Sequence, residues 1–406
     1  MKPRSLQVSL IVSVLCAATG ASACSSHQHP SDARTSAVAS GSPSAVASTT
    51  AASSASASAS TTPTTPTTPT PAASQASSAG HLQPVPAAFE PASVTFVSAS
   101  RGFALGVTPC NAGTCTTLVS TADGGGHWSF VATVPAPFGG ASSAVAKVRF
   151  ATADDGWVFG PELWSTHDGG IRWTHVATAG PTADVEASGG MAYALVGRNL
   201  LRTKVSSDAW TPVPGVTIGS GAGSIALHAH AGWVVTGGDP DSTKLFTSPD
   251  GAAWHAVADP CTSLGTDWAL SGVAPVDSSS IFLLCVGQPG AGSESKKVLY
   301  STDGGLHALP TATDPPRGGD ANGVAAASSS VVAVAARSGA SEVYRSGDTG
   351  TSWQSPLQQG DGGVGFFDLG FTTATQGVVV YGQPGSGAAK LLMTHDAGVT
   401  WAHVSF

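Results

Sequence analysis

Residues 166–173 read THDGGIRW, and the pattern S/T-x-D-x-G-x-x-W that they define recurs along the chain. Three further copies fit it, namely TADGGGHW (121–128), SGDTGTSW (346–353) and THDAGVTW (394–401). Three further copies are degenerate. SSDAW (206–210) lacks the glycine, SPDGAAW (248–254) is one residue shorter, and residues 301–308 end in Ala308 instead of tryptophan. Successive aspartates are 40 to 53 residues apart, which suits one four-stranded propeller blade per repeat.

The pattern has the chemistry of a tight turn between two strands. A serine or threonine hydroxyl and an aspartate carboxylate can accept hydrogen bonds from turn amides, and glycine adopts the positive φ that other residues resist. The tryptophan begins the next strand and packs sideways. The residues assigned to these structural turns are Asp123, Asp168, Asp208, Asp250, Asp303, Asp348 and Asp396, with Trp128, Trp173, Trp210, Trp254, Trp353 and Trp401.

Short apolar segments at fixed places around each turn supply the remaining strands. KVLY (297–300) precedes one turn, GWVF (156–159) lies further upstream of another, and FFDL (366–369) has the position of an innermost strand. Four strands per repeat and seven repeats predict an all-β fold. We expect residues 82–406 to form a seven-bladed β-propeller of four-stranded antiparallel blades.

These turns and their spacing resemble the Asp-box (BNR) propellers, a group that includes sialidases, xyloglucanases, sortilin-type receptors and photosystem II assembly-factor-like propellers. The resemblance covers residues 94–406, and the order of strand, Gly-Trp strand and box is most similar to the photosystem II assembly-factor-like members. In that family the box is a structural device on the blade periphery. The resemblance therefore implies a fold and leaves the chemistry open.

The first residues have the features of an export signal, predicted at 1–23. Lys2 and Arg4 are followed by a mostly apolar stretch, 6–18, which is too short for a good membrane span. Residues 21–24, ASAC, suit either ordinary signal cleavage or lipidation of Cys24. We favour lipidation, with attachment to the outer face of the cytoplasmic membrane, because Cys24 would otherwise be a free thiol. Plain secretion is the alternative.

Residues 24–81 are almost entirely Ser, Ala, Thr and Pro. Such a segment buries too little apolar surface to offset the entropy of ordering, so we predict a disordered stalk. The chain has 17 basic and 25 acidic residues, a formal net charge of −8. Nucleic-acid binding relies on clustered basic residues, which are missing here, so no nucleic acid is expected. We expect a monomer without cofactors.

No catalytic residue stands out. Sialidases carry an Arg-Ile-Pro motif that this sequence lacks, and a hydrolase of the xyloglucanase kind needs two opposed carboxylates. His228 and His230 are predicted to alternate on one strand, yet no third ligand accompanies them, so no metal site is predicted. Seven aspartates are interpreted as ordinary turn residues of interstrand loops: Asp184, Asp239, Asp241, Asp259, Asp267, Asp320 and Asp361.

Four cysteines remain after Cys24. Cys110 and Cys115 flank a loop of the first repeat, and Cys261 and Cys285 would hold a long loop against its blade. In an oxidising compartment we predict both disulfides, with free buried thiols as the alternative.

A propeller gathers two sets of loops on one face around its channel, and ligand sites favour such loops. The candidate binding residues on this face are Trp268, Gln288, Arg317, Asp320, Asp361 and Gln383. The predicted function is non-catalytic binding or scaffolding, with an extracellular protein or a cell-wall glycan as partner. A carbohydrate-active hydrolase of the xyloglucanase or sialidase type is the alternative.

Overall fold

The computed structural model describes residues 83–111, 113–218, 223–237, 243–360 and 364–406. These residues form seven antiparallel sheets arranged in chain order, with a single 3-10 turn at Pro260–Leu264. The predicted seven-bladed β-propeller is confirmed. The predicted signal segment (1–23) and the whole predicted stalk (24–81), including Cys24, lie outside the described residues.

Each sheet is one blade, numbered 1 to 7 along the chain. Blade 1 contains β1 (Gln83–Pro84), β2 (Glu90–Phe96), β3 (Gly102–Cys110), β4 (Gly113–Thr121) and β5 (Ser129–Thr133). Blade 2 contains β6 (Lys147–Phe150), β7 (Gly156–Phe159), β8 (Leu163–Thr166) and β9 (Thr174–His175). Blade 3 contains β10 (Thr182–Ser188), β11 (Met191–Val196), β12 (Asn199–Lys204) and β13 (Thr211–Thr217). Blade 4 contains β14 (Gly223–His228), β15 (Ala231–Thr236), β16 (Lys244–Ser248) and β17 (His255–Val257).

Blades 5 to 7 repeat this plan. Blade 5 contains β18 (Ala269–Pro275), β19 (Ile281–Gly290), β20 (Ser293–Ser301) and β21 (Leu309–Pro310). Blade 6 contains β22 (Asp320–Ala326), β23 (Val332–Arg337), β24 (Ser341–Ser346) and β25 (Gln354–Gln359). Blade 7 contains β26 (Phe366–Phe371), β27 (Gly377–Tyr381), β28 (Lys390–Thr394) and β29 (Ala402–His403). Blade 1 departs from the predicted four strands because β1 pairs with the outer strand β5.

The innermost strands form a closed ring. Each of β2, β6, β10, β14, β18, β22 and β26 contacts the next, and β26 contacts β2. The core is divided in the same way, since every one of the seven apolar clusters joins two neighbouring blades. In the cluster that closes the ring, Val94 and Trp128 of blade 1 pack with Val380, Leu391 and Met393 of blade 7. Each blade therefore buries its faces only against its neighbours.

The predicted turns form the hydrogen bonds expected from their sequence. In blade 2, the Thr166 hydroxyl donates to Asp168 Oδ1 at 3.0 Å and accepts the Gly170 N–H at 3.0 Å, while the Arg172 N–H donates to Asp168 Oδ1 at 2.9 Å. The same three bonds occur in blades 1, 5, 6 and 7. In blade 4, Asp250 accepts the N–H groups of Ala252 and Ala253 in the shorter turn.

The glycine of the turn has a second role, in packing. Gly170 has φ +89°, and a Cβ at this position would lie 2.2 Å from Leu118 Cδ2 of blade 1. The position thus requires glycine both for its backbone conformation and for the close approach of two blades.

Blade 3 departs from the prediction for its turn. Asp208 does not tie its own turn, because its carboxylate accepts the Ser165 hydroxyl of blade 2 at 2.9 Å. Asp208 Oδ2 also lies 3.5 Å from Nε2 of His167, whose Nδ1 is 2.8 Å from Asp155 Oδ1. In blade 3, where SSDAW lacks the glycine, Asp208 thus links two blades and does not close a turn.

Both predicted disulfides are present. Cys110 and Cys115 join β3 to β4 with a Cα–Cα distance of 5.8 Å, and Cys261 and Cys285 are joined with a Cα–Cα distance of 5.6 Å. Asp259 caps the 3-10 turn by accepting the N–H of Cys261 at 2.8 Å. The second disulfide and this cap hold the long loop between blades 4 and 5 against blade 5. Across the described residues, we find no helix long and apolar enough to span a membrane.

The turn aspartates predict a loss of stability in acid. The pKa of Asp303 is about 2, chiefly because the His307 N–H donates to it, and the pKa of Asp348 is about 2, chiefly because the Ser352 hydroxyl does. An aspartate in an unfolded chain has a pKa of about 3.9. Because the folded pKa is the lower one, this contribution is complete above about pH 4 and is lost as the pH falls towards 2. We expect the melting temperature, followed by tryptophan fluorescence, to fall most steeply in that window.

The variant Asp348→Asn provides the control. It keeps an acceptor oxygen in the turn but has no carboxylate to protonate, so its melting temperature should depend less on pH between about 4 and 2 than that of the unmodified chain. An identical pH dependence of the two proteins would show that the turn carboxylates do not determine the acid response.

Candidate functional site

A cavity of about 360 Å³ lies in the channel at the centre of the ring. Six innermost strands line it, mostly with residues from the middle of each strand. The lining includes Lys147, Arg149, Asp184, Glu186, Ser224, Ile225, Ser271, Gly272, Val273, Asn322, Gly323, Val324, Phe367, Asp368 and Leu369.

Irregularities of the innermost strands direct side chains into or beside this cavity. The register shifts in five of them: between Pro91 and Ser93, Thr182 and Asp184, Leu270 and Gly272, Ala321 and Gly323, and Phe367 and Gly370. Bulges of this kind re-aim a side chain and are frequent next to binding sites. Asp368 lies within one of them and has φ +49°, a left-handed conformation that costs energy for any residue with a Cβ.

An ion-pair network crosses the cavity, centred on Arg149. Its Nε lies 2.6 Å from Glu186 Oε1 of blade 3, and its Nη2 lies 3.3 Å from Asp368 Oδ1 of blade 7. Burial raises the pKa of Glu186, and Arg149 opposes this only in part. Burial would also raise the pKa of Asp368, but Arg149 and Lys147 outweigh it and hold that pKa below its usual value. The two carboxylates thus differ in proton affinity.

Side chains of the network also join one innermost strand to the next. Asp368 Oδ2 accepts the Val94 N–H at 3.0 Å and the Ser93 hydroxyl, and Ser93 Oγ accepts the Val148 N–H at 3.0 Å. On the other side of the channel, Asp184 Oδ2 accepts the N–H of Ile225 at 2.8 Å. The polar groups around the cavity therefore hold neighbouring blades together as well as lining the space between them.

The sequence predictions missed this cluster. The interpretation of Asp184 as a loop residue was wrong, because it lies in β10 and is 7% exposed. Arg149, Glu186 and Asp368 were not singled out at all. The sequence does contain a signal for this cluster. Lys147 and Arg149 alternate in one strand and Asp184 and Glu186 in another, and alternate residues of a strand share a face.

The predicted binding residues that the structure describes lie elsewhere, and none of them lines the cavity. Gln288 and Gln383 are exposed on hairpins, Arg317 is exposed in a loop, and Asp320 begins β22. Trp268 is half-buried, with Lys297 Nζ 6.0 Å from its ring centre. Asp361, with Asp239 and Asp241, lies outside the described residues.

The histidine pair also differs from its prediction. His228 ends β14, whereas His230 lies in the turn that follows, so the two do not alternate along one strand. Among the described residues there is no group of three or more His, Cys, Asp or Glu side chains that could hold a metal ion.

Comparisons with known proteins concern the fold. No family model matches the sequence, and no curated protein matches it. A structure described as YCF48 bound to D1 peptide shares 20% identity, with 77% of this chain and 95% of that chain covered and a TM-score of 0.52. YCF48 from Cyanidioschyzon merolae shares 17% identity, with coverage of 78% and 98% and a TM-score of 0.55. The likeness is one of fold. A GH74 enzyme from Niastella koreensis shares 14% identity with coverage of 75% and 61%, and its TM-score of 0.30 supports no inference.

The ion-pair network predicts a large loss of stability when its centre is removed. In Arg149→Met, Glu186 and Asp368 lose their shared counter-ion in a largely buried site, which should lower the free energy of unfolding by about 3–5 kcal/mol. Urea unfolding followed by tryptophan fluorescence measures this. The control is Lys297→Met, which removes the exposed pair with Asp314 and should cost less than about 1 kcal/mol. Equal losses in the two variants would contradict the structural role of Arg149.

Proposed function

We propose that this chain is an exported, membrane-anchored propeller that binds a ligand at the channel without transforming it. The observation that carries the proposal is the polar cavity in the central channel, lined by the innermost strands of six blades. Pockets of about 300 Å³ or more, with a few converging polar groups, are the usual form of binding sites. The partner is an extracellular protein segment or a cell-wall glycan, as the exported start of the chain predicts.

The comparison with YCF48 supports this proposal, since that propeller has a similar fold and is described as bound to a peptide. At 20% identity it supports the scaffold's capacity for peptide binding and leaves the ligand of this chain open. Trp268, Gln288, Arg317, Asp320 and Gln383 would then extend the contact surface beyond the channel.

The position of Arg149 favours binding over hydrolysis. In a glycoside hydrolase the scissile bond lies between two carboxyl groups. Here one guanidinium contacts both Glu186 and Asp368, so the place that a reacting bond would need is occupied by a side chain. The channel residues therefore suit a fixed recognition surface.

Hydrolysis stays as a second candidate because of one observation. The pKa of Glu186 is raised and that of Asp368 is lowered, and carboxyl groups whose pKa values are driven apart are typical of an acid and its partner in catalysis. The two candidates differ in whether the ligand is released unchanged.

A glycan and peptide panel separates them. The full chain, purified in detergent, is incubated with cell-wall and plant glycans and with extracellular peptides, and both retention and released reducing ends are measured. We expect retention without release. Reducing ends that appear in proportion to protein concentration and vanish in Glu186→Gln would establish the hydrolase instead. Absence of retention and release across the panel would contradict both.

The anchor is tested separately. If Cys24 carries acyl chains, the chain should partition with membranes, because two or three chains give stable attachment. In Cys24→Ala it should appear in the medium, whereas the neighbouring variant Ser25→Ala should stay with membranes. Immunoblots of the two fractions provide the measurement. Release of the unmodified chain into the medium would favour plain secretion.

A further inference from the structure

Two hydrogen-bond acceptors at the central cavity have no partner. Arg149 occupies Oε1 of Glu186, and no other residue that the structure describes donates to Oε2. Asn322 donates from Nδ2 to the Phe366 carbonyl at 2.5 Å, while its Oδ1 is buried and unbonded. The Glu186 side chain is 28% exposed, so its Oε2 is open to the cavity. Asn322 Oδ1 is costly, because burial removes the water of an acceptor without replacing it. Both residues line the same cavity, from blade 3 and from blade 6.

With Glu186 ionised, the charges around the cavity do not balance. Three carboxylates, those of Asp184, Glu186 and Asp368, face two basic side chains, Lys147 and Arg149. Asp184 accepts two backbone N–H groups, and Asp368 accepts a hydroxyl, a backbone N–H and the Arg149 guanidinium. Glu186 has Arg149 as its single partner among the described residues. The excess negative charge is therefore least satisfied at Glu186.

A ligand that fits this site must supply both positive charge and hydrogen-bond donors. A primary ammonium group has three donors and no acceptor, so it matches a free carboxylate oxygen beside a cavity with surplus negative charge. A further N–H or O–H on the same ligand would match Asn322 Oδ1. The exposed Phe367 ring adds an apolar surface at the lining, which favours an organic cation over a fully hydrated metal ion.

We propose that the central channel recognises the primary ammonium group of its ligand through Glu186, with Asn322 accepting a second donor. The inference rests on the proposed binding function and gives it a ligand chemistry. A free peptide N-terminus and an amino sugar both carry this group, and they are distinguished by experiment.

The test uses two amines and their acetylated counterparts. Glycylglycinamide represents a peptide N-terminus and glucosamine an amino sugar, while N-acetylglycylglycinamide and N-acetylglucosamine have the same frameworks without the charge. Binding of each to the full chain in detergent is measured by titration calorimetry at low salt. We expect at least one amine to bind roughly tenfold or more tightly than its acetylated form, the size expected for a charge-assisted hydrogen bond. Whichever amine binds identifies the source.

Variants locate the site. Glu186→Gln preserves size and one acceptor but removes the charge, and it should weaken amine binding roughly tenfold or more while leaving the acetylated forms unaffected. The matched control is Asp314→Asn, a carboxylate paired on the surface with Lys297, which should bind as the unmodified chain does. If Glu186→Gln does not fold, as judged by its melting transition, the comparison of amine with acetylated amine decides.

Three results would overturn the proposal: equal affinity of each amine and its acetylated form, absence of binding by both amines, or unchanged amine affinity in folded Glu186→Gln. If each amine binds as tightly as its acetylated form, or if folded Glu186→Gln keeps its amine affinity, the glycan and peptide panel can still show retention. The channel then binds another chemistry, and the proposed function stands. Absence of retention in the panel would remove the binding function itself.

Discussion

A propeller blade cannot bury both faces of its sheet alone, so every blade depends on two neighbours and the ring has to be shut. Here the closing contact is made by the Asp368 carboxylate of blade 7, which bonds to Ser93 and Val94 of blade 1 and to Arg149 of blade 2. It is reinforced at the rim, where Glu90 accepts the N–H groups of Gly385 and Gly387. Since each apolar cluster of the described residues joins two neighbouring blades, loss of closure would expose two sheet faces at once.

The dependence of each blade on its neighbours also explains how the turn motif can lose residues in one blade without loss of the fold. The turn bonds stabilise one hairpin, whereas the packing between blades stabilises the ring. Blade 3 illustrates the difference, since Asp208 no longer ties its turn but contacts Ser165 and His167 of blade 2. Trp210 still packs across the same boundary, 6.1 Å from Trp157 between ring centres. A local bond within the hairpin has been replaced by a contact between blades.

The architecture was predictable from the sequence because its signals are local and repeated. A turn motif, the strands around it and the cysteine spacing are each readable within a few residues, and the structure contains the seven blades and both disulfides. The channel site was not predictable in this way. Arg149 and Asp368 are 219 positions apart, and only ring closure places them side by side. None of the described residues chosen from the loops lines the channel cavity, because a position in a loop does not by itself make side chains converge.

Stability alone gives little reason for charges at the centre of this ring. Buried ion pairs contribute little net stability, because the cost of removing them from water offsets their attraction, and well-packed apolar groups in their place are often neutral or stabilising. The boundaries between blades elsewhere are filled by such apolar clusters. The channel instead has five charged side chains around a cavity of about 360 Å³, one of them in a left-handed backbone conformation. Strain and uncompensated polarity that packing does not require are expected where a protein keeps a surface ready for a ligand.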